Sequence, residues 1–155
     1  MRLSENFTLA EFTKSDTAIR LVLDNNPTDE HLENIQHLVD TICQPVRDHY
    51  GKAVRVTSGY RSGPLNRAIG GSKNSQHSKG EAVDFEISGI DNKELAKWIV
   101  ENCEFDQLIL EFYDPEVGGN SGWVHVSVKK GGGNRKSVLR AFKRSGRTVY
   151  EKIEL

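Results

Sequence analysis

The hydrophobic pattern of this chain changes its period once, and that change limits the folds it can adopt. From Thr28 to about Tyr50 the apolar side chains follow a helical repeat. From Ala53 onward they alternate with polar ones, as they do along strands that bury one face. Helices followed by strands are typical of an α+β fold. We therefore predict N-terminal helices packed on a central, mainly antiparallel sheet.

The long helix is predicted to begin at a cap formed by Thr28 or Asp29 and to end at Gly51. Pro45 lies inside its apolar pattern. Because proline removes one backbone hydrogen bond, we expect a kink near Thr41. A second amphipathic helix is predicted later in the chain, over residues 91–102.

Five further segments have the alternation of strands after the first one at Val54–Val56. They are Ala82–Ile87, Gln107–Phe112, Trp123–Lys129, Val138–Phe142 and Thr148–Leu155. The chain has 155 residues, which is enough for one domain with a hydrophobic core. Residues 1–155 are thus predicted to form a single domain.

The charge balance argues against a nucleic-acid-binding protein. There are 21 basic and 22 acidic residues, and the net charge is −1. The closest approach to a basic patch is Lys129–Arg147, which is interrupted by three glycines and contains few aromatic residues. We interpret this segment as a solvated or substrate-steering face and expect no nucleic-acid partner.

The sequence contains no apolar segment that resembles a secretory signal or a membrane-spanning helix. We therefore expect synthesis in the cytoplasm and no stable association with a membrane. Cys43 and Cys103 fit no metal or redox spacing, and Cys43 is predicted to be a buried thiol. We expect the protein to be a monomer.

The segment Ser75–Asp84 is the first candidate for a functional site. It places His77 on a polar loop, seven positions before Asp84 on a predicted strand. Neutral imidazole and carboxylate together suit zinc. Side chains of two more strands share the parity of Asp84, namely Glu111 and His125. Each residue alone is more often structural, so the prediction depends on the joint pattern.

The segment Ser-Gln-His-Ser-Lys-Gly-Glu-Ala-Val-Asp at Ser75–Asp84, followed by Trp-Val-His at 123–125, resembles the zinc D-Ala-D-Ala carboxypeptidase group. This group includes the vancomycin-resistance D,D-dipeptidases and the phage L-alanyl-D-glutamate endolysins, and it has the hedgehog/DD-peptidase fold. The segment Thr57–Ser62 resembles the arginine-bearing strand end of the group. The similarity extends from about Val54 to Val128 and is greatest to small phage-encoded members.

The resemblance implies one zinc ion per chain, with His77, Asp84 and His125 as its ligands. Three protein ligands leave one position for water, which zinc acidifies. Arg61 matches an arginine that lies near the scissile carbonyl or a substrate carboxylate. An exposed or salt-bridged arginine is the simpler alternative.

Two further residues have weaker assignments. Ser75 either binds substrate or holds the loop of His77. Trp123 either supports the substrate pocket or packs as an ordinary aromatic side chain.

The residue at the position expected for the general base differs from the family pattern. Many members have an acidic residue three positions before the second histidine, and Gly122 occupies that position here. We predict that Glu111 replaces it, paired opposite His125 in an antiparallel hairpin. Asp114 and Glu116, in the following loop, are the alternatives.

The resemblance implies a zinc metallopeptidase that cleaves peptidoglycan stem peptides, as a carboxypeptidase or an endopeptidase. The sequence leaves open a non-catalytic, zinc-stabilised binding or phage structural protein, and a cytoplasmic dipeptidase. A phage lysis enzyme would act on the cell wall after release and would need a membrane-opening partner such as a holin. A virion-associated enzyme is the other expected location.

Overall fold

Helices occupy much of the first half of the chain and strands most of the second half, as the change of period predicts. The computed structural model describes all 155 residues. The helices are α1 Leu9–Thr13, α2 Asp16–Arg20, α3 Asp29–Leu38, α4 Gln44–Tyr50, α5 Gly63–Ala68 and α6 Asn92–Asn102. None of them is both long and apolar enough to cross a membrane.

Eight strands form two sheets of unequal size. The strands are β1 Arg2–Ser4, β2 Phe7–Thr8, β3 Arg55–Ser58, β4 Ala82–Glu86, β5 Gln107–Glu111, β6 Trp123–Ser127, β7 Ser137–Arg144 and β8 Arg147–Lys152. β1 and β2 pair with each other, and the other six form a sheet in the order β3-β4-β6-β5-β7-β8. Every pair in that sheet is antiparallel except β5 with β7. The predicted α+β class with a mainly antiparallel sheet is confirmed.

The core lies between the helices and one face of the large sheet. On that face the alternating side chains of β4, β5 and β6 are almost completely buried. They are Val83, Phe85, Leu108, Leu110, Val124 and Val126. Leucine and isoleucine side chains of α3 and α6 belong to the same cluster. Since successive side chains on a strand point to opposite faces, the other face of these strands is available for a site.

The predicted kink in the long helix takes the form of a π-helical turn. Residues Val39–Cys43 adopt this wider helix between α3 and α4, and the N–H of Gln44 donates to the carbonyl of Val39. Pro45 then falls in the first turn of α4, directly after the π-helical turn. Gly51 ends α4 in the left-handed conformation, with φ of 64°.

Phe112 corrects one detail of the predicted strand pattern. Alternation along the predicted strand Gln107–Phe112 puts the ring of Phe112 on the core face, beyond Leu110. In the structure, Phe112 has φ of 55° and lies just after β5. The left-handed backbone turns the chain out of the sheet. The ring consequently packs on Trp123, with the two ring centroids 5.4 Å apart.

Candidate active site

A groove of about 640 Å³ lies on the sheet face opposite the core. Its walls come from the turn before β4 and from β4, β5, β6 and the C-terminal segment. The residues predicted first for metal binding, catalysis or substrate contact all line it. They are Arg61, Ser75, His77, Asp84, Glu111, Trp123 and His125.

Asp84 lies at the centre of a compact cluster with two histidines. Antiparallel pairing of β4 with β6 places Asp84 directly opposite His125. One carboxylate oxygen, Oδ1, lies 2.9 Å from Nδ1 of His125 and 3.4 Å from Nε2 of His77. The three potential ligand atoms all lie within 4.8 Å of one another. The structure therefore brings together the three residues predicted as metal ligands.

The imidazole of His77 is held in a fixed orientation by its own turn. Residues Gln76–Lys79 form a short 3₁₀ helix, and the hydroxyl of Ser75 accepts the His77 N–H at 3.2 Å. Nδ1 of His77 lies 2.7 Å from the carbonyl oxygen of Gly59. Nδ1 can donate to that carbonyl only if it carries the proton of the neutral ring. Nε2 then has a free lone pair, which is directed toward Asp84. This is how proteins commonly orient a metal-ligating histidine.

The local electrostatics favour the protonation states that bind a cation. Burial alone would raise the pKa of Asp84, but the hydrogen bond from His125 and the adjacent imidazole of His77 hold it well below its usual value. Burial lowers the pKa of His77, against the opposing effect of Asp84. An ionised carboxylate and a neutral imidazole are the forms that coordinate a metal.

The cluster also fits zinc in its dimensions. In a tetrahedral site with zinc–ligand bonds of about 2.0–2.1 Å, neighbouring ligand atoms lie ~3.3 Å apart. The separations of 2.9 and 3.4 Å around Asp84 bracket that value. Two nitrogen donors and one oxygen donor are a common catalytic zinc set and leave one position open.

Glu111 lies on the same face as the cluster, although its strand partner differs from the one predicted. β5 and β6 pair antiparallel as expected, but Glu111 is opposite Trp123, and Ile109 is opposite His125. The expected pairing of Glu111 with His125 is thus wrong by two residues. Since a shift of two preserves the face, Glu111 stays diagonal to His125.

The surroundings of Glu111 raise the pKa of its carboxyl group. Burial is the main cause and the negative charge of Asp84 is the next, while His125, Trp123 and Arg61 act in the opposite direction. The buried indole N–H of Trp123 makes no hydrogen bond of regular geometry, although its dipole still favours the charged carboxylate. A carboxyl group with a raised pKa can both accept and return a proton.

Arg61 enters the groove from the segment after β3. Its backbone N–H donates to the carbonyl of His77 at 3.1 Å, which ties it to the metal-site turn. Its Nε atom is buried and makes no hydrogen bond. Burial lowers the pKa of the guanidinium, and the charges of Asp84 and Glu111 oppose that effect. Neither simple alternative applies, because Arg61 is partly buried and makes no salt bridge.

The weaker assignments divide into those that reach the groove and those that do not. Ser75 lines the groove and also caps the turn of His77. Trp123 lines it and packs on Phe112. Asp114 and Glu116, the alternative bases, are exposed in the loop after β5 and do not line the groove.

One comparison with known proteins identifies the family. The model of the family described as Peptidase M15 matches residues 5–127. The chain belongs to the Peptidase M15 family. The match covers most of the chain and starts well before the region in which the motifs resemble that group. No curated protein matches the chain.

Membership of Peptidase M15 confirms the resemblance inferred from the motifs and agrees with the observed α+β fold. It also supports a peptidase function for the groove. M15 peptidases are zinc enzymes, and the His77, Asp84 and His125 cluster is a group that could hold such an ion.

The structure gives a steric reason for glycine at position 122, three residues before His125, where the family resemblance implies an acidic residue. Gly122 has φ of 64°, and a Cβ atom there would lie only 1.9 Å from the carbonyl oxygen of Glu111. It would also lie 2.6 Å from the carbonyl carbon of Phe112. The backbone at Gly122 passes too close to the backbone of Glu111 and Phe112 for any side chain to fit at this position. A carboxylate for the groove therefore cannot come from position 122.

Nine of the residues that line the groove were not singled out from the sequence as site residues, and four of these carry a basic or phenolic side chain. The four are Lys79, Lys129, Arg135 and Tyr150. The basic run after β6, interpreted as a solvated or substrate-steering face, contains two of them. Tyr150 reaches the groove because β8 pairs with β7, and β7 lies beside β5. This order of strands has no local signal in the sequence.

Proposed function

We propose that this chain is a zinc peptidase that cleaves peptide bonds in peptidoglycan stem peptides. The observation that carries the proposal is the cluster of His77, Asp84 and His125, with Glu111 beside it on the same face of the sheet. Membership of the M15 family supports the peptidase chemistry. The resemblance of Ser75–Asp84 to the cell-wall peptidases supports the substrate.

The three cluster residues would hold the zinc ion, which supplies Lewis-acid chemistry by polarising the scissile carbonyl and acidifying water. Glu111 accepts a proton from the attacking water through its carboxylate. It then delivers that proton to the leaving amine as the peptide bond breaks. Its raised pKa assists this second transfer, because a weaker carboxylic acid binds the proton long enough to pass it on.

Arg61 stabilises the negative charge that develops on the carbonyl oxygen. Its guanidinium lines the groove, and its buried Nε has no protein acceptor. A donor held in place before the reaction needs little reorganisation when charge develops. Arg61 thereby favours the transition state more than the bound peptide.

The extent of the groove supports cleavage within a peptide. Gln107 and Lys129 line it on one side of the metal cluster, and Glu111 and Tyr150 line it toward the other. A peptide could thus be contacted on both sides of the scissile bond. We accordingly propose an endopeptidase in preference to a carboxypeptidase.

Digestion of purified peptidoglycan tests this function. The zinc-loaded protein is incubated with walls of several chemical types, and released fragments are identified by mass spectrometry. We expect shortened stem peptides, and none from the chelator-treated protein or from His77→Ala. Release of free D-alanine alone would instead indicate a carboxypeptidase. Absence of product from every wall type would overturn the peptidase proposal.

A further inference from the structure

One end of the groove is lined by basic side chains. β5 begins at this end with Gln107, and β6 reaches it with Ser127, its pairing partner. Lys129 follows β6, and Arg135 precedes β7. Lys79 comes from the turn before β4, so two separate parts of the chain contribute three cations to this basic end.

A buried carboxylate underneath holds two of these cations in place. Asp106 has no exposed surface, and its Oδ2 accepts from Nη2 of Arg135 at 2.8 Å. Its Oδ1 accepts from the backbone N–H of Arg135 at 2.9 Å and from Nε at 3.1 Å. Nζ of Lys129 lies 3.8 Å from Oδ1. The side chain of Gln76, beside the metal-site histidine, donates to Oδ2 at 3.1 Å.

The positive charge of the basic end is not neutralised at the surface of the groove. Arg135 and Lys129 are about half exposed, whereas their shared counter-ion is completely buried. Lys79 is exposed and forms no salt bridge, and Nη1 of Arg135 makes no hydrogen bond. The only acidic side chains that line the groove are Asp84 and Glu111, in the metal cluster and beyond it.

We propose that this basic end binds a carboxylate of the peptide substrate. Arg135 is fixed by several hydrogen bonds, so little conformational freedom is lost when it binds an anion. Its unused donors and those of the two lysines match the acceptors of a carboxylate. A carboxylate bound here would set the direction in which a peptide lies across the metal cluster.

This inference rests on the proposed function and deepens it, since it names a feature of the substrate. The carboxylate is either the C-terminal one or one carried by a residue within the peptide. Arg135 lies outside the segment that matches the M15 family, residues 5–127. The specificity would therefore belong to this chain and to relatives that have the same C-terminal segment.

Binding of three forms of one peptide tests the inference. The peptide is L-Ala-D-Glu-L-Lys-D-Ala-D-Ala, used unmodified, amidated at the D-Glu carboxylate, or amidated at the C-terminus. Affinity is measured by calorimetry with zinc-loaded Glu111→Gln, which is expected to bind peptides without cutting them. Since an exposed ion pair contributes up to ~1 kcal/mol, amidation at one position should weaken binding about fivefold. The affected position identifies the source of the carboxylate.

Two double variants in the same background show whether the basic end is responsible. Lys79→Gln with Lys129→Gln should reduce the difference between the carboxylate and amide forms, because only Arg135 then remains to bind the carboxylate. Lys73→Gln with Lys130→Gln removes the same charge from lysines outside the groove and should retain the full difference. Lys130 is a suitable control because its Nζ is paired with Glu33 at 3.1 Å. Circular dichroism of each variant confirms that it is folded.

The outcomes separate this inference from the proposed function. Equal binding of all three peptides, or a preference of undiminished size in the Lys79 and Lys129 variant, would overturn the inference even if peptidoglycan is cut. Absence of binding by every form would overturn it as well. Selective, lysine-dependent binding by a protein that cuts no wall would support the basic end and contradict the peptidase function.

Discussion

A single carboxylate oxygen organises the metal cluster at the level of individual residues. Oδ1 of Asp84 lies within 3.4 Å of a ring nitrogen of both His77 and His125. Each histidine comes from a different part of the chain, one from a turn and one from β6. The negative charge of Asp84 offsets part of the charge of a bound dication, which an amide of the same shape cannot do.

Asp84→Asn should therefore lose zinc while keeping the fold. We expect the affinity for zinc to fall by about 100-fold or more, because even residues that only orient a ligand commonly contribute 10–100-fold. Zinc per chain is measured by plasma mass spectrometry after dialysis against a weak chelator. Asp114→Asn, in an exposed loop outside the groove, is the control and should retain one zinc ion. Equal zinc contents in the two variants would contradict the ligand assignment.

At the level of elements, the backbone at Gly122 lies so close to that of Glu111 that no side chain fits at position 122. A carboxylate for the groove therefore cannot lie there. The loop from β5 to β6 is fastened to the start of α6, where Asn92 donates to the carbonyls of Ser121 and Gly122. Tyr113 donates to Asp91, the cap of the same helix. These bonds hold Gly122 against the backbone of Glu111.

Gly122→Ala should be strongly destabilising, and Gly119→Ala in the same loop should not. Both glycines have positive φ, of 64° and 57°, so each alanine costs roughly 1 kcal/mol in backbone strain. Only Gly122 has backbone atoms within contact distance of an added Cβ, whereas Gly119 has nothing within 4 Å. Overpacking adds about 1–3 kcal/mol or more. Urea unfolding of both variants measures the difference, and equal losses would contradict the close approach of the backbone at Gly122.

The pattern within each element predicted much of this site. Strict alternation along β4, β5 and β6 was sufficient to place Asp84, Glu111 and His125 on one face, and the structure confirms that placement. The register was not predictable to the residue, because a two-residue shift of β5 against β6 changes no face. The left-handed backbone at Phe112 was also not predictable, since phenylalanine rarely adopts that conformation and the alternating pattern continues through it.

At the level of the whole molecule, Asp106 joins distant segments that together form the groove. Its backbone N–H donates to the carbonyl of Ser127, and its own carbonyl accepts from Ser137. Its side chain binds Arg135 and Gln76. One buried residue thus connects β6, β7 and the metal-site turn.

The stability of the protein should depend on pH through Asp106. Burial would raise its pKa, but hydrogen bonds and charge from Arg135 lower it to about 2 from the ordinary 3.8. A lowered pKa in the folded state gives stability that is present above about pH 4 and lost as the pH falls to about 2. The expected contribution is roughly 2 kcal/mol.

Urea unfolding of the wild type and Asp106→Asn between pH 2 and 6 checks this dependence. The difference in unfolding free energy should be largest near pH 6 and should shrink toward pH 2, because the wild-type carboxylate is then protonated. A constant difference over this range would show that the ionised form of Asp106 has no special role.

The arrangement of the C-terminal strands is the part of the fold that the sequence predicted least. Two strands were expected near the end of the chain, and β7 and β8 confirm them. Their place in the sheet depends on the parallel pairing of β7 with β5, which joins segments distant in sequence. Tyr150 reaches the groove only through that pairing, so no local motif indicated it.

The most direct test of the account is the rate of peptide cleavage by Glu111→Gln, measured together with its zinc content. The central claim is that Glu111 transfers the proton during peptide cleavage. It takes the role of the acidic residue that the family resemblance implies at position 122, where this chain has glycine. Loss of a general base should lower kcat by about 10²–10⁴-fold. Zinc content should stay at one ion per chain, and Glu116→Gln should keep the wild-type rate. A zinc-loaded Glu111→Gln that retains the full rate would contradict the claim.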